Sequence, residues 1–250
     1  TLGCTITFTI PVGMGMLKSG DRLLFSRGML IGTGTLPVTM IVGGLLSGLS
    51  FLQIVLQSLP VLLFCFLLMF GIWRFPEQTV RAFTVFADVI RFLTTIGLIA
   101  GAFCYMTGFS LLPDLAPLED AMAVVSSIGI VLLGSLPTAE LLQRVLKKPL
   151  SFIGRKTGMN DSSAAGLLMG IVSPVPAITM MEKMDERGKI VNAAFLVSAA
   201  STIAAHMGFT FGTDPDFVVP LLVAKLAGGI AAVCAALFFT KKSAYSKTRK

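Results

Sequence analysis

The chain has 250 residues, of which 54% are hydrophobic and only 13% charged, with a formal net charge of +7 and a mean hydropathy of +0.86. Soluble domains carry about twice that share of charge, so the deficit excludes an ordinary soluble globular protein. The charges are clustered between apolar runs of about 22 residues, long enough to cross a hydrocarbon core of about 30 Å, and this pattern excludes nucleic-acid binding as the reason for the positive balance.

Taken in chain order, apolar segments are predicted at 1–17, 28–49, 51–72, 82–108, 121–142, 161–181, 190–212 and 217–240, with a tail at 241–250. The first opens at Thr1 without a basic signal start, which leads us to expect that earlier segments are missing. Thr5, Thr7, Thr9 and Pro11 make it polar for a membrane helix and point it toward the interior. The next two segments are separated by a bare Ser50. In 82–108 the first turns, with Arg81, Asp88 and Arg91, are expected along the interface, Asp88 and Arg91 pairing three residues apart. Glu140, near the end of 121–142, is placed to snorkel or to pair with Arg144.

Segment 161–181 is the unusual one. The loops at 18–27, 73–81, 143–160 and 182–189 carry 3, 2, 5 and 3 basic residues and the tail carries 5, whereas 109–120 and 213–216 carry only acidic ones. If every segment crossed the bilayer, the basic tail would share a side with the acidic loops. If 161–181 enters and leaves on one face, all basic loops fall on one side, the arrangement of cytoplasmic loops. Within this segment Ser173, Pro174 and Pro176 interrupt helical hydrogen bonding, and broken helices of this kind line transporter substrate sites. A continuous, proline-kinked helix is the alternative. The expected architecture is therefore an all-α polytopic membrane protein of about seven transmembrane helices plus one re-entrant helical hairpin, with 1–240 as one transport domain and 241–250 as a basic cytoplasmic tail.

Polar residues in apolar segments are the candidate substrate-path groups. In 190–212 these are Asn192, Ser198, Ser201, Thr202 and His206; Ser198, Thr202 and His206 lie four apart and would share a helix face. The bland reading of His206 is a hydrogen-bonded bundle histidine, and that of Asn192 a cap or anchor near the basic face. Lys225 lies two turns into the last segment and is expected to snorkel. The four cysteines show no metal-ligand spacing, one histidine excludes a multi-histidine site, and Gly32-Thr-Gly34 lacks the strand a dinucleotide loop needs. No nucleophile is paired with a base, so no enzyme activity and no cofactor are expected. Pairs such as Gly44/Gly48, Gly97/Gly101, Gly166/Gly170 and Gly208/Gly212 permit close helix approach, within the bundle or in a homo-oligomer.

The stretch from Met180-Met-Glu-Lys-Met-Asp-Glu-Arg-Gly-Lys to Ala200, followed by His206-Met-Gly-Phe209, resembles the ethanolamine utilization permease family (EutH type). Ile10-Pro-Val12, Leu133-Gly134 with Pro137, Lys148-Pro149-Leu150 and Ala224-Lys-Leu-Ala-Gly-Gly229 fall in the expected order. The resemblance implies a bacterial inner-membrane permease taking up ethanolamine or a similar small amino alcohol by alternating access, with a proton or sodium as possible coupling ion. It also implies that the family's N-terminal part is absent here and contains a segment similar to 160–210, so that this chain would be one half and more of an inverted-repeat transporter. Two positions depart from the family pattern: Ala205 stands where an Asp often precedes the histidine, and Val172-Ser173 where Asn-Asn often precedes the hairpin proline. A membrane component that senses amine or anchors other proteins without transporting is the second reading. It predicts that the intramembrane polar residues are dispensable.

Overall fold

A computed structural model describes residues 2–109 and 156–240, with isolated positions between them. Segment 121–142 as a unit, Glu140, most of loop 143–160 and the tail 241–250 lie outside the described residues. Among the described residues the secondary structure is entirely helical. Helices are numbered α1 (Leu2–Met16), α2 (Ser19–Gly34), α3 (Leu36–Leu46), α4 (Phe51–Arg74), α5 (Pro76–Thr107), α6 (Asp161–Val172), α7 (Pro174–Thr179), α8 (Glu186–Ala199), α9 (Met207–Thr213) and α10 (Val218–Phe239). Among the described residues four stretches are long and apolar enough to cross a membrane: Ser19–Leu46, Phe51–Gly71, Glu77–Thr107 and Pro215–Phe239.

The loops expected at 18–27 and 73–81 are much shorter than the charge pattern suggests. Helix α2 begins at Ser19 and takes Asp21 into its first turn, where the helix dipole favours a carboxylate. Only Phe75 separates α4 from α5, because Pro76 at the helix start needs no backbone donor there. Ser50 is the N-cap of α4: its hydroxyl accepts from the Gln53 amide nitrogen, and the Gln53 side chain accepts from the Ser50 backbone. Asp88 and Arg91 of α5 pair at 3.4 Å as expected.

The core forms around α8, whose residues 190–199 are buried on all sides. Its most extensive partner is α2. Gly28 and Gly32, one turn apart, put the α2 backbone against the Ile190 and Ala194 carbonyl oxygens of α8, leaving no room for a Cβ. On the hairpin side, Gly166 and Gly170 do the same against Asn192 and Leu196, whereas Gly97 and Gly208 face open space. Helices α4 and α5 show the opposite character: Leu52, Leu56, Phe66, Leu98 and Ile99 stand exposed, the surface a bilayer would cover.

Candidate functional site

The site is built from two interruptions in the backbone. The first falls where the prolines predict it. Helix α6 ends at Ser173, which is extended (φ −155°, ψ 141°), and Pro174 begins α7. The prolines thus occupy the first turn of a new helix, where missing donors cost nothing. Ser173 and Pro174 are buried and Pro176 half-buried. The chain then doubles back. Asn160, which caps α6, donates from its backbone to Asp185 Oδ1 (2.9 Å) and from Nδ2 to the Lys183 carbonyl (2.9 Å). Ser163 Oγ donates to the same Asp185 oxygen at 2.7 Å, while Asp185 Oδ2 caps α8 through the Gly188 amide. Residues 160–163 and 183–185 are thereby clasped together, so both ends of the 161–181 segment lie at one place.

The second interruption is one that the apolar run 190–212 hides. Helix α8 stops at Ala199; Ala200 is extended in ψ (140°), and Ser201 takes a left-handed conformation, φ 55°. A π-helical turn from Thr202 to His206 follows before α9. Consequently Ser198, Thr202 and His206 do not share a continuous helix face, which corrects the expectation from their spacing. Ser198 lies on α8, fully buried, and its Oγ accepts from Thr39 Oγ1 of α3 at 3.1 Å. Thr202 and His206 instead secure the break. Thr202 Oγ1 donates to the Ala199 carbonyl (2.6 Å), and His206 Nδ1 pairs with the Ala200 carbonyl at 3.0 Å. Since a carbonyl only accepts, Nδ1 carries the hydrogen in that bond, and Nε2 of a neutral ring keeps a lone pair.

The two interruptions meet. The Ser201 amide donates to the Gly170 carbonyl at 3.1 Å, joining the broken end of α8 to the tip of the hairpin. Asn192 ties the same pair of elements at the hairpin's base, its Nδ2 donating to the carbonyls of Ser163 (2.8 Å) and Gly188 (2.9 Å). It is an anchor on α8, 1% exposed, away from the breaks. Thr5 and Thr9 face the interior, Thr5 Oγ1 donating to the Val197 carbonyl at 3.2 Å, while Thr7 faces outward.

Lys225 is the residue that sequence reading misplaces. It does not snorkel: it is 1% exposed, and the described residues offer its ammonium no hydrogen bond or ion pair. It contributes to the wall of a cleft of about 320 Å³ shared by α3, α4 and α10, with Thr39, Gly43, Val61 and Phe217. The signal available in the sequence was an ionisable residue inside an apolar run. Residue spacing gives depth along a helix but not the side of the bundle it faces. Among the described residues no group of three or more His, Cys, Asp or Glu could hold a metal ion.

The model of the family described as ethanolamine utilisation protein, EutH, matches residues 1–239. The chain is 38% identical over 96% of its length to a "Probable ethanolamine permease EutH" of Listeria monocytogenes, of which it covers 65%. It is 33% identical over 99% of its length to the protein so named in Escherichia coli, covering 66% of it, and 34% identical over 96% to that of Salmonella typhimurium, covering 65%. The chain thus spans just under two thirds of these relatives. No solved structure matches it.

Proposed function

Because this chain belongs to the EutH family of ethanolamine utilisation proteins, we propose that it forms part of a membrane permease that takes up ethanolamine or a similar small amino alcohol by alternating access. The observation that carries this reading is the meeting of two broken helices at the Ser201–Gly170 hydrogen bond. A plain anchoring bundle has no use for two such breaks, since unwound backbone at membrane depth persists only where protein or a watery cavity satisfies it. At neutral pH ethanolamine is mainly a cation, so its site needs carbonyl oxygens or aromatic faces for the ammonium and a polar partner for the hydroxyl. The hairpin-tip carbonyls and Ser173 would take the ammonium; Ser201, Thr202 and His206 Nε2 would take the hydroxyl or relay a proton.

The fuller architecture belongs to the same proposal. Residues 1–240 form one transport domain of about seven crossings and a re-entrant hairpin, related to an inverted repeat, with the basic loops and tail on the cytoplasmic side of a bacterial inner membrane. Uptake of labelled ethanolamine into proteoliposomes containing the full-length protein tests the proposal. Saturable uptake that small amino alcohols compete away is the expected result. Uptake no greater than in empty vesicles overturns it and favours the sensing or anchoring reading.

A further inference from the structure

The buried ammonium of Lys225 poses a problem that the helix breaks do not solve. A charge in a low-dielectric interior costs several kcal/mol and a second like charge beside it costs more, so this ammonium can keep its proton only while no other cation shares its site. Among the described residues, the elements around it offer no carboxylate. Helix α3 carries no charged residue, and the one in α4, Arg74, lies at its far end. Charged residues of α8 (Glu186, Arg187, Lys189) and of α2 (Asp21, Arg22, Arg27) sit at the opposite end of α10, where Arg27 Nη2 reaches the Phe239 carbonyl. Asp214 and Asp216, in the turn before α10, are exposed and form no ion pair with it. Among the described residues, the titratable groups near enough to act on it are His206, from the π turn, and Cys4, from α1.

The cleft beside Lys225 has the other features of a small-cation site. Phe217 contributes an aromatic ring to its wall. The Thr39 hydroxyl, which donates to Ser198, keeps lone pairs for a second hydroxyl. That hydrogen bond also joins the cleft to the helix on which the second break occurs. Gly228, one turn beyond Lys225, lets α10 press against Thr39 and Ser198 at this crossing, where a Cβ would collide with both.

We infer that Lys225 exchanges its proton for the substrate ammonium in this cleft, so that the bundle interior holds one positive charge with or without substrate. The inference rests on the permease reading. On binding, one Nζ–H bond of Lys225 breaks, its electron pair stays on nitrogen, and the proton passes to water. Ethanolammonium enters with all its protons and donates one N–H to the freed lone pair. No oxidant or further reactant is needed.

The test is isothermal titration calorimetry of ethanolamine into the full-length protein in detergent, between pH 6 and 8, in buffers of different ionisation enthalpy. The wild type is expected to release about one proton per ethanolamine bound, with apparent affinity falling about tenfold per unit drop in pH, as reciprocal linkage requires. Lys225→Gln is expected to release none and to bind without pH dependence. Lys225→Arg, permanently charged, is expected to lose binding; it serves as the second variant if Lys225→Gln fails to fold by size-exclusion chromatography. Binding to the wild type without proton release overturns the inference alone, as does release that persists in Lys225→Gln or unchanged binding in Lys225→Arg. No ethanolamine binding to the wild type overturns the permease reading and this inference with it.

Discussion

At the residue scale, the informative contrast is between His206 and Lys225. His206 has one ring nitrogen committed to the Ala200 carbonyl and stands half-buried at the end of the π turn. Its hydrogen bond closes the gap left by the break, and under the proposed function its second nitrogen would serve the substrate or a relayed proton. His206→Ala in the full-length protein is expected to lower ethanolamine uptake by about tenfold, the scale of one lost hydrogen bond to a polar ligand group. Uptake and its pH dependence left unchanged in proteoliposomes would remove His206 from the path. That His206, Asn192 and Ser173 would be local structural points was legible, because polar groups stand out in apolar runs. What each does was less so. Asn192 bridges two elements 29 residues apart in sequence, and nothing local announces that Ser163 is its partner. Ser201 adopts a left-handed φ without a glycine or proline beside it, so the break that separates Ser198 from Thr202 leaves no trace in composition.

At the element scale, the hairpin was the most legible feature and the helix contacts the least. Two prolines and the sidedness of the basic loops predicted a segment that turns back, and the Asn160–Asp185–Ser163 clasp holds its two ends together. Single cysteines placed at Lys156 and Lys183 are therefore expected to react with a membrane-impermeant maleimide from the same side of the membrane. Labelling from opposite sides would make 161–181 a crossing helix. By contrast, the most extensive helix pairing among the described residues uses Gly28 and Gly32, a pair at the same spacing as the four singled out in the sequence but not among them. Spacing alone cannot rank such pairs, because contact depends on what the opposite helix presents. Here it is bare carbonyl oxygens of Ile190 and Ala194. Gly32→Leu is expected to force α2 away from α8 and destabilise the fold by about 1–3 kcal/mol, the usual penalty for overpacking. Thermal unfolding in detergent measures it, with Gly97→Leu, which meets open space, as the control.

On the scale of the whole molecule, two ion pairs tie the hairpin side of the bundle to α2. Lys189 meets Asp21 at 2.5 Å, largely shielded from solvent, and Lys18 meets Glu182 at 2.9 Å in the open. The Glu182 hydrogen bond and charge hold the Lys18 ammonium above its ordinary range, so Lys18 stays charged through neutral pH and its contribution to the pair is lost as pH rises through that raised value. Around this tied centre, α4 and α5 turn apolar faces outward, and α5 does so over 32 residues, about 48 Å at 1.5 Å per residue. Its charge-free part is far shorter: residues 92–107 measure only about 24 Å, against a hydrocarbon thickness of about 30 Å. If α5 crosses the bilayer along this part, the Asp88–Arg91 pair would sit inside the hydrocarbon, snorkel out of it, or meet a surface that the lipid has drawn inward. This is hydrophobic mismatch, with an elastic cost of a fraction of a kcal/mol per Å. The acyl-chain length of the host membrane would then act mechanically on α5, and through its contacts with α1 and α2 on the position of the hairpin.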